Sequence, residues 1–361
     1  MNTRIAPLSA LLILLAPSGC KDTIVEATTS STAGAGGGGS TTSATTTSSE
    51  SATTGASTSG TGGSVATLAE MSTPRQLTAA LLSSDGRVRV FGGLGGNVKS
   101  SVEAYDPVTN AWENGASASV KRYGHCVAED SSGRAIVFGG TSDGVNPNAS
   151  VEAYTPATDA WETVADLPAP RLGMGAARAA DGRIFVIGGR GADGMATDAV
   201  DVLSADGTAW SAGPPMPTKR LSLQAVAAPD GRIYAIAGRN SSNVPLVVVE
   251  SLDPVSGTWK TEPSIAKPRF WFGAALGPDG RIYVVGGDGL MGFLDDAEAA
   301  TPGGAWTPLA KLPEPRGWLV AAFVPDGRLL AIGGSYETSG GQPPALSSMV
   351  AYDPKTDAWV H

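Results

Sequence analysis

From residue 65 onward, apolar positions fall in short runs broken by turn-forming residues, and helical spacing is absent. One pattern recurs six times: an apolar run, an Asp-Gly or Ser-Gly pair, a second run rich in β-branched and aromatic residues, then a Gly-Gly pair. "DGRVRVFGG" at 85–93 returns as "SGRAIVFGG" at 132, "DGRIFVIGG" at 181, "DGRIYAIAG" at 230, "DGRIYVVGG" at 279 and "DGRLLAIGG" at 326. A second motif follows each copy, from "VEAYDPVTNAW" to "VAYDPKTDAW", with tryptophans at 112, 161, 210, 259, 306 and 359. The Asp-Gly pair tolerates the positive φ angles of a tight hairpin. Each copy therefore predicts four strands: one before the hairpin, one ending at Gly-Gly, one carrying the "VEAY" motif and one carrying the tryptophan. A repeat of 47 to 53 residues predicts a solenoid, array or propeller.

The Gly-Gly pair closing strand two, the aromatic of strand three and the tryptophan of strand four resemble the kelch family. The match spans everything after residue 64. Departures are local: Ala237 replaces one glycine, and Leu203, Leu252 and Ala300 replace the tyrosine. The resemblance implies an all-β, six-bladed kelch-type β-propeller over 65–361, with four antiparallel strands per blade. "VATLAEMSTPR" (65–75) aligns with the connector "WETVADLPAPR" (161–171), so the chain starts inside a connector and its two ends should meet to close the ring.

The first 64 residues have a different pattern. Residues 1–20 combine Arg4 with the apolar run "APLSALLILLA" and end at "APSGC", which reads as a signal peptide. The small residues before Cys20 resemble the lipobox of bacterial lipoproteins, implying lipidation of Cys20 and anchoring to the cell envelope, at the outer membrane or cell surface. Residues 21–64 read as a disordered Ser/Thr/Gly tether, whose low-complexity part would reach roughly 35 Å as a random coil. The lipid anchor would be the only membrane contact. A net charge of −9 argues against nucleic acid as a partner, since neutralising phosphates needs clustered basic residues. A monomer is expected.

Topology places the candidate chemistry. Arg75, Arg122, Arg171, Arg220, Arg269 and Arg316 head the six inner strands, on the face shared with the blade connectors and the variable loops after Gly-Gly. This near face is expected to bring the arginines together at a narrow mouth. A second series, Arg87, Arg134, Arg183, Arg232, Arg281 and Arg328, follows the hairpins on the far face. Recurrence by duplication is compatible with pure scaffold, so departures from symmetry carry more functional weight. Tyr123, Trp271 and Trp318 differ from their counterparts, and Arg190, Arg239, Asp288 and Tyr336 sit just past Gly-Gly. Such variable positions on a rigid scaffold are where function concentrates. The ligand-binding candidates are thus the six junction arginines with Tyr123, Trp271, Trp318, Arg190, Arg239 and Tyr336.

Two functions fit. One is a non-enzymatic binding module for an anionic glycan or acidic peptide; arginines at this junction are among the peptide contacts of kelch domains that bind acidic peptides. The other is a sugar-acid enzyme resembling the kelch-type sialic-acid epimerases, with His125 or Asp288 as the base. No cofactor is expected. His125 and His361 are too few histidines for a copper radical oxidase. "GRGADG" and "GDGLMG" open no helix, which removes the dinucleotide reading. No ligand cluster for zinc is present in the sequence.

Overall fold

The computed structural model describes residues 67–337 and 343–360. The signal peptide, Cys20 and the tether lie outside these residues, as do Val65 and His361. Six four-stranded antiparallel sheets follow one another along the chain, each in the order first, second, third, fourth strand. Blade 1 comprises Ala79–Leu82, Val88–Phe91, Val102–Asp106 and Ala111–Gly115. Blade 6 comprises Val320–Phe323, Leu329–Ile332, Met349–Asp353 and Ala358–Val360. Among the described residues there is no helix.

Both faces of each second strand are covered. Ile184–Ile187, Ile233–Ile236 and Ile282–Val285 are buried throughout, because they lie mid-sheet with a neighbouring blade on either side. Apolar cores form at the seams between blades: Ile136 and Phe138 of blade 2 pack with Val186 and Leu203 of blade 3. Each tryptophan ties its outer strand to the connector entering its own blade. Trp112 Nε1 donates to the Ala69 carbonyl at 2.9 Å, and Trp359 Nε1 to that of Ala310 at 2.8 Å.

The ring closes through the connector at 67–75. Met71 N donates to Ser347 O and Arg75 N to Leu346 O, at 3.0 and 2.9 Å. Leu68 and Met71 share a core with Met349, Ala351 and Val360. The two ends of the described propeller therefore meet at the blade 1–blade 6 seam, although the Trp359 side chain turns the other way.

A second closed ring surrounds the axis. Leu77, Gly124, Gly173, Ser222, Trp271 and Trp318 stand two residues after the junction arginines, and all six have φ between 47° and 69°. Each N–H donates to the carbonyl of its counterpart in the preceding blade, from Gly124 N to Leu77 O (2.9 Å) round to Leu77 N to Trp318 O (2.9 Å). The left-handed conformation costs a non-glycine residue roughly 1–2 kcal/mol. Here the hydrogen bonds that it permits between blades offset the strain.

Candidate functional site

The junction arginines are buried to 95% or more. Nη1 of each donates to the carbonyl seventeen residues on, at the end of its own second strand: Gly92, Gly139, Gly188, Ala237, Gly286 and Gly333. In five blades Nη2 meets an acid on the third strand. Arg75 pairs with Glu103 (2.7 Å), Arg122 with Glu152 (2.6 Å), Arg171 with Asp201, Arg220 with Glu250 (2.8 Å) and Arg269 with Glu298 (2.9 Å). This corrects the expected placement: the six guanidinium groups do not crowd the mouth. Each points back into its own blade, where carbonyls and, in five blades, a carboxylate meet its Nη donors, while Nε of Arg122 and Arg171 has no partner among the described residues. In blade 6, Val350 occupies the position of the acid, and Arg316 reaches only Gly333 O, Ser348 O and Ser348 Oγ, at 3.3, 3.0 and 3.3 Å.

His125 is also placed differently from expectation. It occupies the core position held by Thr78, Met174, Leu223, Phe272 and Leu319 in the other copies, and is 4% exposed. Burial, with Arg122 and Arg75 nearby, pushes its pKa down to about 3, so the ring is neutral. It lies at the seam of blades 1 and 2, beside a small void lined by Phe91, Gly92, Ser100, Val120, Arg122 and Trp161. A base for a ligand on the near face would need access that this position lacks. The neighbouring Cys126 is buried too, its thiol pushed up to about 12.

The mouth belongs to the tryptophans. From blade 5 the indole of Trp271 reaches across the axis, its Cη2 lying 3.1 and 3.3 Å from where a Cβ on Gly124 or Gly173 would stand. Those glycines supply both the positive φ and the room for the ring. Below it runs a narrow axial cavity of about 60 Å³, walled by the inner strands of all six blades. Trp318 is buried edge-to-face against Phe293, with centroids 5.0 Å apart.

The positions just past Gly-Gly form the near-face floor. Leu94, Thr141, Arg190, Arg239, Asp288 and Ser335 each pair through the backbone with the residue after a junction arginine: Gln76, Tyr123, Leu172, Leu221, Phe270 and Gly317. Arg190 spends its guanidinium on the blade 2 loop, donating to Gly144 O and Val145 O at 3.0 and 2.9 Å. Arg239 lies over the Phe270 ring, 4.6 Å from its centroid, and bonds Asn243 through Nη1. Burial lowers its pKa to about 10. Asp288 is 1% exposed, and burial raises its carboxyl to about 6, against the opposing influence of Trp318 and Arg239. Glu337 of blade 6 adds like charge there while accepting a hydrogen bond from Phe293 N at 3.1 Å.

The Trp318 indole N–H stands close enough to the Asp288 carboxylate to favour its charged form, whereas Arg239 Nε has no partner among the described residues. Unpaired buried side-chain atoms occur in other blades too, at Arg122 Nε, Arg171 Nε and both ring nitrogens of His125, so such atoms do not by themselves single out this cluster. Of the sequence candidates, the fold brings together Arg239, Asp288, Trp318 and the flanking Arg190. Tyr123 stands over Gly144 in the blade 2 loop, its hydroxyl pKa raised by burial and by Asp143. Tyr336 is exposed on the blade 6 loop. Sequence reading missed Phe293, Asn243 and Glu337, for which no repeat position gives a signal. Among the described residues no cluster of three or more His, Cys, Asp or Glu could hold a metal ion.

A family model, the KLHDC2/KLHL20/DRC7 Kelch-repeats domain, matches residues 78–287, more than half of the chain. Among solved structures, the "Structure of YjhT" aligns with a TM-score of 0.68 at 17% identity, covering 80% of this chain and 98% of that one. A likeness at that identity shows the fold alone. No curated protein matches the sequence.

Proposed function

Because the chain belongs to the kelch-repeat family, whose six-bladed propellers commonly serve as binding modules, we propose that it binds an anionic ligand on its near face, an acidic glycan or acidic peptide. The observation that carries this reading is the half-buried Arg239 guanidinium on the near face, which bonds Asn243 rather than a carboxylate and whose Nε has no partner among the described residues. Anionic oxygens of a ligand would give it the charged partner that it lacks. Phe270, Trp271 and Phe293 supply apolar surface beside them, and Arg190 adds positive potential. The end of the signal-like segment at Cys20 supports an exported, lipid-anchored protein that holds its propeller off the cell envelope.

A thermal-shift screen with acidic oligosaccharides and acidic peptides tests the reading, since a ligand of the folded state raises its apparent stability. Arg239→Gln should weaken any ligand found by about 1.5–3 kcal/mol, roughly ten- to a hundredfold, as for a lost charge-assisted hydrogen bond. Retained affinity in that variant removes the site.

A second reading, the sugar-acid enzyme, would use Asp288, whose carboxyl pKa is raised to about 6, in the range suited to general acid–base work, but at 1% exposure it would need the same access that His125 lacks. Sugar acids incubated with the protein in D₂O would exchange a carbon-bound proton. Absence of exchange that depends on Asp288 ends that reading.

A further inference from the structure

The rim of the near face is apolar as well as charged. Among the described residues ten large apolar side chains are strongly exposed, and six of them stand on the loops after Gly-Gly: Val145, Met195, Val244, Leu290, Met291 and Tyr336. They fall in consecutive blades, 2 to 6. The other four lie at the opposite end of blades 1, 4 and 5. Leu82 and Leu276 close first strands, and Val108 and Val255 sit in turns between third and fourth strands. Single exposed apolar residues are ordinary, whereas their concentration on one face marks an interaction surface. The blade 5 loop is the clearest case. Gly289 N donates to Gly292 O at 2.8 Å, and the two residues between them are Leu290 and Met291, 67% and 97% exposed. Turn tips ordinarily carry Gly, Asn, Asp or Ser, so the turn itself gives no reason for this pair.

The loops are braced by their neighbours. Arg190 of blade 3 bonds Gly144 O and Val145 O of blade 2. Ala196 N of blade 3 donates to Ser241 Oγ of blade 4 at 2.9 Å, and Phe293 N of blade 5 to Glu337 Oε1 of blade 6 at 3.1 Å. A rim set in advance loses less entropy on binding. Cations alternate with the apolar tips along it: Arg190 holds the backbone of Val145, and Arg239 bonds Asn243, the residue before Val244. Arginine and methionine are both enriched at protein–protein interfaces.

We infer that the ligand of the near face is a peptide segment in which acidic and bulky apolar residues lie close together. The inference rests on the binding reading above and selects between its two ligand classes. Acidic side chains meet Arg190 and Arg239, while aliphatic or aromatic ones pack on Met195, Val244, Leu290 and Met291. A glycan offers hydroxyls and flat ring faces, which stack on aromatic rings. The loop tips hold one aromatic, Tyr336, against five aliphatic or thioether side chains.

The test selects peptides from a random display library against the full chain at pH 7.5, then titrates the best of them beside polyglucuronate. Enriched sequences should carry Asp or Glu within a few residues of Leu, Ile, Met or Phe. Replacing those apolar residues by Ser in the best peptide should weaken binding at least roughly tenfold. The variant Met195→Ser/Leu290→Ser/Met291→Ser should lose a similar factor for the native peptide, with circular dichroism confirming the fold. Polyglucuronate binding should be unchanged in that variant. Acidic sequences without apolar enrichment, or polyglucuronate bound more tightly than any selected peptide, overturn the inference and leave the anionic site standing. If neither acidic peptides nor polyglucuronate bind the native protein, the binding reading falls together with the inference.

Discussion

Two sets of near-face positions, both repeated in all six blades, behave in opposite ways. The junction arginines keep one residue type, are buried, and direct their Nη groups to partners inside their own blades, with Nε of Arg122 and Arg171 left unpaired. The positions just past Gly-Gly hold six residues of five types and include Arg239, which bonds Asn243 rather than a carboxylate. The first set is scaffold: a guanidinium can reach the end of one strand and the acid on the next, so it ties second and third strands where the sheet meets the connector. The second set needs only its backbone for the fold, since the paired bridges use N–H and C=O alone. Its side chains are free to vary, and there the candidate chemistry lies. Identity across the copies therefore marked structure, and divergence marked the site.

The sharpest way to break the comparison is to remove one member of each set. Arg220→Met leaves Glu250 buried without its partner and should cost about 3–5 kcal/mol, seen in denaturant melts. Arg239→Gln should shift stability by less than about 1 kcal/mol while weakening ligand binding roughly ten- to a hundredfold. Arg316→Met should cost the least among the six junction variants, because Val350 leaves no carboxylate behind. Equal losses at Arg220 and Arg316 would show that the carbonyl contacts, rather than the acids, hold the blade.

Acid sensitivity separates the two regions next. His125 has a folded pKa of about 3 against an ordinary 6.5, so the unfolded chain binds the extra proton between those values. Stability should fall as pH drops from 6.5 towards 3. His125→Met, which adopts the residue of blade 3 at this position, should flatten that limb of the pH–stability curve. A limb unchanged in the variant would place the acid sensitivity elsewhere.

The smallest effect concerns Asp288 and has the opposite sign. Its folded pKa of about 6 exceeds the ordinary 3.8, so the folded state binds the extra proton. Its contribution is therefore lost as pH rises from 3.8 through 6, and the penalty is fully present at neutral pH. Asp288→Asn should raise the melting temperature at pH 7.5 and leave it nearly unchanged at pH 4. A protein destabilised by this substitution at neutral pH would instead have Asp288 in an ion pair.

The repeat was legible down to single strands. Each Asp-Gly, each Gly-Gly and each tryptophan occupies the place that its spacing implied, since hairpin turns and strand alternation are local properties of a few residues. The roles of His125 and the arginines were only partly legible. Aligning the copies puts His125 among Met174, Leu223 and Phe272, which points to the core, but the direction of the Arg75 side chain depends on Glu103, 28 residues away on another strand. Arg239 and Asp288 could be picked out as asymmetric positions. Their surroundings could not be read, because these depend on Phe270, Trp318 and Glu337 in other strands and blades.

By itself, then, the sequence determined the number of blades, the order of strands in each, and the closure of the ring at 67–75. Those follow from turn chemistry, apolar alternation and repetition, which act over neighbours along the chain. Only the tertiary structure decided that the arginine series faces inward, that Trp271 crosses the axis over Gly124 and Gly173, and that Arg239, Asp288 and Trp318 share one desolvated cluster. These depend on distances between blades about 50 residues apart in sequence and on how much water the packing excludes. No local pattern encodes either quantity.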